Sequence, residues 1–416
     1  MPNQDDIDLA VQGVEAWNEW AQRCPLSSVD FSEEDLTGIS FAGFQFPGIS
    51  DFTKTKFSEY VDFSGSTVFG DIDFSDSEFI GGGNFSKSKF NGEVSFFDSK
   101  FSGRAFFTKS IFRMGAFFIR SRFSSSVSFD NSEFFDFTYF NDSVFSNGAS
   151  FEESTFVDWV DFYGGKFSWQ VSFSKTSFRG YANFSNREFN ASTNLRVKYF
   201  SQVPVFHGAT IHQGTKFGNI DEIFTDFQSD DAEQCYRTLK LAMGKQQART
   251  EETDFAALEL KARRHRLLRE AKTKPFWKRF PLWSECLGYL LWEVCSKSGR
   301  SFVRPLVGYL GSLLAFAVSY VLLPACKMQP PLYVLLFQGR NWGTGFRYSF
   351  LKQFSFGEIF RGSSNRIGAL EAKLFCLNDA VLAPWWVDFL NSIQSIIAFG
   401  LIFLMGLGIR HKFRLR

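Results

Sequence analysis

The stretch that decides the fold is residues 85–106, FSKSKFNGEVSFFDSKFSGRAF, where Phe85, Phe90, Phe96 and Phe101 recur in steps of five, six and five. A helix would space apolar residues by three and four, and a half-buried strand by two, so neither period accounts for these steps. Followed outward, they resolve into two interleaved series, each with a period of eleven. One runs from Phe41 through Phe52, Phe63 and Phe74 to Phe184, then Leu195, Phe206 and Phe217. The other, five residues later, runs from Phe46 through Phe57, Val68 and Phe79 to Phe200 and Ile211. Sixteen consecutive units, residues 41–216, keep this frame.

Two residues before each ring stands a small or β-branched side chain. Thr55, Ser66 and Ser77 precede the second series, and Val61, Ile72 and Ala105 the first. Positions i and i−2 of an extended segment point the same way, so both are expected inside. A unit this short cannot bury its own Phe and must stack on copies of itself, which predicts a solenoid.

A central Phe or Leu every five residues with a small residue two before it resembles the pentapeptide-repeat proteins. The opening DFSEEDLTGISFAGFQF keeps the strict spacing of five at Phe31, Leu36, Phe41 and Phe46, and WNEW (residues 17–20) is similar to the lead-in of many such proteins. The resemblance implies a mainly β fold, a right-handed quadrilateral β-helix over 31–217. The rest of the repeat departs by inserting one residue into alternate faces. Its 11-residue double units then give 22-residue turns and a slightly rectangular section. About eight turns, at about 4.8 Å per stacked strand, make a rod of about 38 Å.

The 416 residues carry a formal charge of +1 and 56 phenylalanines. Bulk electrostatics selects no partner. The six cysteines form no CxxC and the four histidines are scattered, so neither a metal site nor a disulfide framework is implied; Cys326 and Cys376 are read either as a pair or as buried thiols. No GxSxG, P-loop or HExxH motif stands in a suitable context, so no catalytic residue, metal or cofactor is expected. Gly81, Gly82 and Gly83 are read as relieving a tight corner. The N-terminus lacks a basic-then-apolar leader, which places the repeat in the cytoplasm.

Four segments follow. Residues 1–30 form an N-terminal capping helix on the stripe Ile7, Val11, Val14 and Trp17, and 31–217 form the β-helix. Residues 218–300 form a helical collar, with Cys235, Leu239 and Met243 on one helix and Phe255, Leu258 and Leu260 on the next. An interfacial helix bearing Trp277, Trp283 and Trp292 ends that segment. Residues 301–416 form a membrane part, with uncharged stretches at 305–323 and 389–409 long enough to span a bilayer. Lys297, Arg300 and Arg304 before the first stretch and Arg410, Lys412, Arg414 and Arg416 after the second place both termini in the cytoplasm.

The segments GRSFVRPL and NSIQSIIAFGLIFLMGLGIRHKFRLR resemble the membrane part of a bacterial subgroup of pentapeptide-repeat proteins, some with an ion-channel-like pair of helices. That implies a multi-pass protein of the bacterial inner membrane and a homo-oligomer, guessed as a tetramer, around a pore. The filter phrase TVGYG is absent, so a potassium filter is not expected. Asn391, Gln394 and Ser395 share one face of the second helix and are read as pore lining or as interhelical packing. The basic run with Lys261, Arg263, Arg264, Arg266 and Arg269 is read as a solvated face or as a site for a lipid headgroup, a nucleotide or a short DNA.

Two functions fit. In the first, the cytoplasmic part gates an oligomeric pore in anti-phage defence, with an operon partner enzyme making the signal. In the second, a non-conducting, membrane-tethered scaffold presents a protein-binding β-helix. Mimicry of DNA is disfavoured, because Lys and Arg roughly balance Asp and Glu over 41–216.

Overall fold

The computed structural model describes residues 3–296, 301, 303–322, 347, 349–350 and 385–413. They fall into two compact units, Met1–Glu270 and Ala271–Arg416.

The first unit is a four-faced parallel β-solenoid. Face I begins at Val29–Asp30 and Ser50–Asp51, face II at Lys56–Phe57, face III at Val61–Asp62 and face IV at Gln45–Phe46. Nearly every strand has two residues. Faces I, III and IV hold eight strands and face II seven. Single bridges from Asp35 to Lys56 and from Glu188 to Thr210 extend face II to nine levels. The stack is thus one turn longer than the eight expected, because the strict-spaced opening at Phe31 and Leu36 forms a turn of its own.

Pairing advances by 22 residues per level, as in Val94 with Ala116 and Phe101 with Phe123. The extra residue of each unit lies in alternate corners rather than in alternate faces. The I-to-II corner is a tight turn in which Ser99 N–H donates to Phe96 O at 3.1 Å and Asp98 takes a φ of 54°. The next corner, Ser102–Arg104, is the wider one by ring spacing, since Phe101 and Phe107 are six residues apart where Phe96 and Phe101 are five. Every tight corner needs a left-handed residue, and Lys54, Asp76, Asp98 and Arg120 supply it successively at the same corner. Such a φ is unfavourable for these side chains. It is held by a bond to the level above, as Asp98 N–H to Ile119 O at 3.0 Å.

Inside, the rings form columns. Phe96 stacks on Phe74 at 4.9 Å and on Phe118 at 5.0 Å, and meets Phe85 and Phe107 edge-on at 5.4 and 5.5 Å. Both arrangements suit the ring quadrupole. Between the columns runs a ladder of buried hydroxyls. Ser88 Oγ donates to Phe63 O at 2.7 Å, Ser110 Oγ to Phe85 O at 2.6 Å and Ser121 Oγ to Phe96 O at 2.8 Å. These three hydroxyls satisfy corner carbonyls of the level before, while Ser77, Ser143 and Ser154 bond the carbonyl three residues back in their own level, which is why Ser and Thr hold these interior positions. At Gly81 a Cβ would fall 2.2 Å from the Glu59 carbonyl carbon, so the wide corner closes there only without a side chain.

Both ends are covered. In place of the single N-terminal helix expected, α1 (Gln4–Val11) and α2 (Val14–Arg23) are separated at Gly13, whose φ is 94°. The break leaves Val11 and Val14 exposed and seats Trp17 on Phe44 at 5.2 Å, its Nε1–H donating to Gln45 O at 2.8 Å. At the other end follow α3 (Ile220–Ile223), α4 (Ala232–Lys245) and α5 (Arg249–Thr273). Phe255 of α5 packs on Phe217 and Phe224, and Tyr236 of α4 meets Phe224 edge-on.

The second unit contains α6 (Phe276–Ser296), α7 (Val303–Leu322) and α8 (Trp385–Phe413), which pack on one another. One of them, over Phe389–Gly406 of α8, is long and apolar enough to cross a membrane; α7 is apolar over the shorter span Val303–Ser319. Two spanning helices were expected, and among the described residues one meets that length. Cys326, Cys376 and most of the 324–388 link lie outside the described residues.

Candidate functional site

The solenoid surface is not uniform. Between Arg122 and Lys166 there is no Lys, Arg or His, while eight carboxylates fall between Asp130 and Asp161. Forty-three residues make about two turns, so an acidic belt girdles the middle of the rod although the chain as a whole is near neutral. Within that belt, face I and its flanking corners expose Phe135 (42%), Phe137 (43%), Trp159 (40%) and Tyr163 (42%). Outward rings continue on neighbouring levels, with Phe117 stacked on Tyr139 at 5.6 Å and Trp159 edge-on to Tyr181 at 5.3 Å. Asp136 and Asp158 each precede one of these aromatics and accept its backbone N–H at 2.8 Å, which fixes the carboxylates in the same corner.

The opposite face III is polar. Ser128, Ser150, Ser172 and Asn194 floor a groove of about 610 Å³ edged by Trp169. The tight corners carry ion pairs between levels, such as Glu153 with Lys175 at 2.7 Å and Glu33 with Lys54 at 2.8 Å. The Lys175 ammonium holds the Glu153 carboxyl below its usual range. These pairs are exposed and contribute little to stability.

One interior position breaks the hydroxyl ladder. Arg187 stands where Ser or Thr is the rule and is wholly buried. Its Nη1 donates to Gly164 O at 2.8 Å and to Phe140 O at 3.3 Å, and its guanidinium carbon lies 4.3 Å from the centre of the Phe167 ring. Gly165 makes the room, since a Cβ there would come within 2.8 Å of that Nη1. Burial pushes the guanidinium down to about 9, against the weaker opposing pull of Asp142 and Asp161. Sequence periodicity did not find this residue, although the coincidence of Gly165 and Arg187 at ladder positions was visible.

The basic residues of α5 are engaged within the cap. Arg266 bridges Glu233 at 2.7 Å and Glu270 at 2.9 Å, and Arg269 meets Asp230 at 3.0 Å. Lys261 Nζ lies 5.5 Å over the Phe227 ring, while Arg263 and Arg264 are half-buried on the same helix. Beside them, burial raises the Glu259 carboxyl, but hydrogen bonds from Lys240 and Arg237 outweigh it and the net shift is downward.

In the second unit Asn391 and Gln394 of α8 face inward, while Ser392 between them is exposed. Gln394 is fully buried, and its Nε2 donates to Ser349 O at 2.6 Å and to Ser349 Oγ at 2.9 Å; Ser349 Oγ in turn donates to Leu313 O of α7 at 2.9 Å. Asn391 is buried beside it, and Ser395 Oγ donates to Asn391 O at 2.8 Å. Gly308 of α7 faces Leu401 of α8 closely enough that an added Cβ would sit 3.3 Å from it. Most large outward residues are apolar, among them Ile396 and Phe403 on α8, Val307 and Leu314 on α7, and Phe280 and Val294 on α6, each more than half exposed. The pattern inverts that of a water-soluble bundle.

Among the described residues no group of His, Cys, Asp and Glu could hold a metal ion. Burial raises the Cys235 thiol, with Asp231 adding to the shift, so at neutral pH it is protonated and a poor nucleophile.

The family model for pentapeptide repeats (9 copies) matches residues 41–89 and again 52–100. Neither a curated protein nor a solved structure matches the chain. The matched windows lie on faces I to IV, so over residues 41–100 the parallel β-solenoid is built from pentapeptide repeats, and the same 11-residue frame continues to residue 217.

Proposed function

We propose that the chain is a membrane-tethered scaffold: the β-helix is a stiff docking rod, and the helices of the second unit hold it to a bilayer. The observation that carries this reading is the inverted helical unit, with apolar residues outward and Gln394 bonded to Ser349 inside. Exposed Leu, Ile and Phe over three helices have no favourable surroundings in water. A hydrocarbon solvent accepts them, and α8 has the length to cross it. Lys272, Lys274, Lys278 and Arg279 precede and enter α6, where anionic headgroups would meet them. Stacked levels bonded along their whole length make the rod resist compression.

The gated pore is the second reading. It draws on Asn391 and Gln394 lying on one face of α8, which in an oligomer would line water, with control by a nucleotide or short DNA in a defence role. The in-chain partner of Gln394 favours the scaffold, because the amide needs no second copy to be satisfied.

The test is reconstitution of the full chain into liposomes containing anionic lipid, followed by alkaline washing and flotation. The chain is expected to float with the vesicles after the wash. Recovery in the supernatant would remove the anchor. Gln394→Leu is expected to weaken α7–α8 association by about 1 kcal/mol without changing flotation. Its effect on helix packing is read as earlier thermal unfolding in detergent, and an unchanged transition would count against the bond.

A further inference from the structure

We infer that the aromatic face within the acidic belt is a docking surface for a partner protein that presents a Lys- or Arg-rich segment with apolar side chains. The inference rests on the scaffold reading of the rod and names its working face. Three observations meet there. Phe135, Phe137 and Trp159 stand exposed on adjoining levels of face I and its corner, where a water-facing sheet would carry polar groups. Asp136 and Asp158 are fixed in the same corner by their bonds to the N–H groups of Phe137 and Trp159. About two turns around them contain no cation of their own.

The charge selects the occupant. Of the belt's eight carboxylates Glu153 is paired with Lys175 of the next level and Asp161 is buried, and Arg113 and Arg179 stand in the same corner one level below and above the belt. The remaining carboxylates, Asp136 and Asp158 among the rings, disfavour nucleic acid and an anionic bilayer and attract a cationic chain. The rings then provide what charge alone does not: apolar area near the centre of the contact, and faces on which Lys or Arg can lie. The rod itself holds an example, since the Arg120 guanidinium sits 4.1 Å over the Phe97 ring one level below. Short-strand geometry keeps the rings in register at the level spacing, so the surface is ordered before a partner arrives, and ordering it costs little.

The full chain in non-ionic detergent is titrated into a fluorescein-labelled amphipathic peptide of lysine and leucine, with anisotropy as the readout. A counterpart with glutamate at every lysine is the control. The lysine peptide is expected to bind, with an affinity that falls as salt rises, and the glutamate peptide is expected not to bind. Phe137→Ser combined with Trp159→Ser, and separately Asp136→Asn combined with Asp158→Asn, are each expected to weaken binding about tenfold or more. Trp169→Ser, on the polar face III, is expected to leave it unchanged. Circular dichroism checks that every variant retains the β-helix; the Asn variants keep the acceptors of the corner bonds.

Equal binding by all variants, loss of binding in Trp169→Ser alone, or no binding of the lysine peptide would overturn the inference. So would sedimentation showing that two copies associate through this face, since the occupant would then be the chain itself. A chain that binds the peptide but is washed from liposomes leaves the surface standing and removes the anchor; a retained chain that ignores the peptide does the reverse.

Discussion

Phe118→Ala is expected to destabilise the solenoid by about 3–5 kcal/mol. The ring is fully buried and touches five others: Phe96 and Phe140 stack on its two sides at 5.0 and 4.9 Å, and Phe107, Phe112 and Phe129 meet it edge-on. Its neighbours are pinned by backbone bonds on every level, so the cavity cannot collapse. Phe117→Ala, one residue earlier but pointing outward, is expected to cost less than about 1 kcal/mol. Amide exchange of residues 96–140 in the full chain, measured against guanidinium, checks the pair. Similar losses at both positions would mean that the ring columns do not hold the rod together.

The second large effect is a coupling. Arg187→Ser alone removes the donor to Gly164 O and Phe140 O and leaves a void beside Gly165, at an expected cost of about 2–4 kcal/mol. Gly165→Ser alone drives its Cβ toward Arg187 Nη1 and, at 2.2 Å, into Ser143 O, with Gly165 at a φ of 59°, and is expected to be at least as damaging. Together they restore the hydroxyl ladder at both levels and allow the corner to return to the form seen elsewhere in the rod. The double variant is expected to be at least as stable as the native chain, because a buried unpaired charge is replaced by satisfied hydroxyls. Additive losses in the cycle would show that Gly165 and Arg187 are unrelated.

The pH dependence carries a sign. The folded guanidinium lies near 9, below its unfolded value, so below pH 9 both states are protonated and the full burial cost is present. As pH rises above about 9 the folded state releases the proton first, and the native chain gains stability relative to the double variant. A gap that widened with pH would contradict this.

The fold was legible because the same eleven residues are written sixteen times, and an error at one copy is corrected by the next. The position of the extra residue was not. The spacing of Phe counts residues between rings but does not say whether the sixth lies on a face or in a corner, and the corner wins because each face needs only two paired residues. Arg187 was hidden for the opposite reason: it occurs once, and its space is made by Gly165 a full turn away. The acidic belt was lost by counting charge over the whole repeat, where Lys and Arg on other levels cancel it. The helical stripe from Ile7 to Trp17 ignored Gly13, which splits it. For Gln394 the helix face was legible, but its partner Ser349 lies 45 residues away, beyond the reach of any period.

Ion flux across liposomes in which the full chain has been shown to float most directly tests the idea of a sealed, anchored rod. Vesicles carrying the chain should hold an imposed potassium gradient as well as empty vesicles do, with or without Gln394→Leu. Rapid dissipation of the gradient by the native chain, abolished by that substitution, would contradict the scaffold and make the buried amide part of a conducting path.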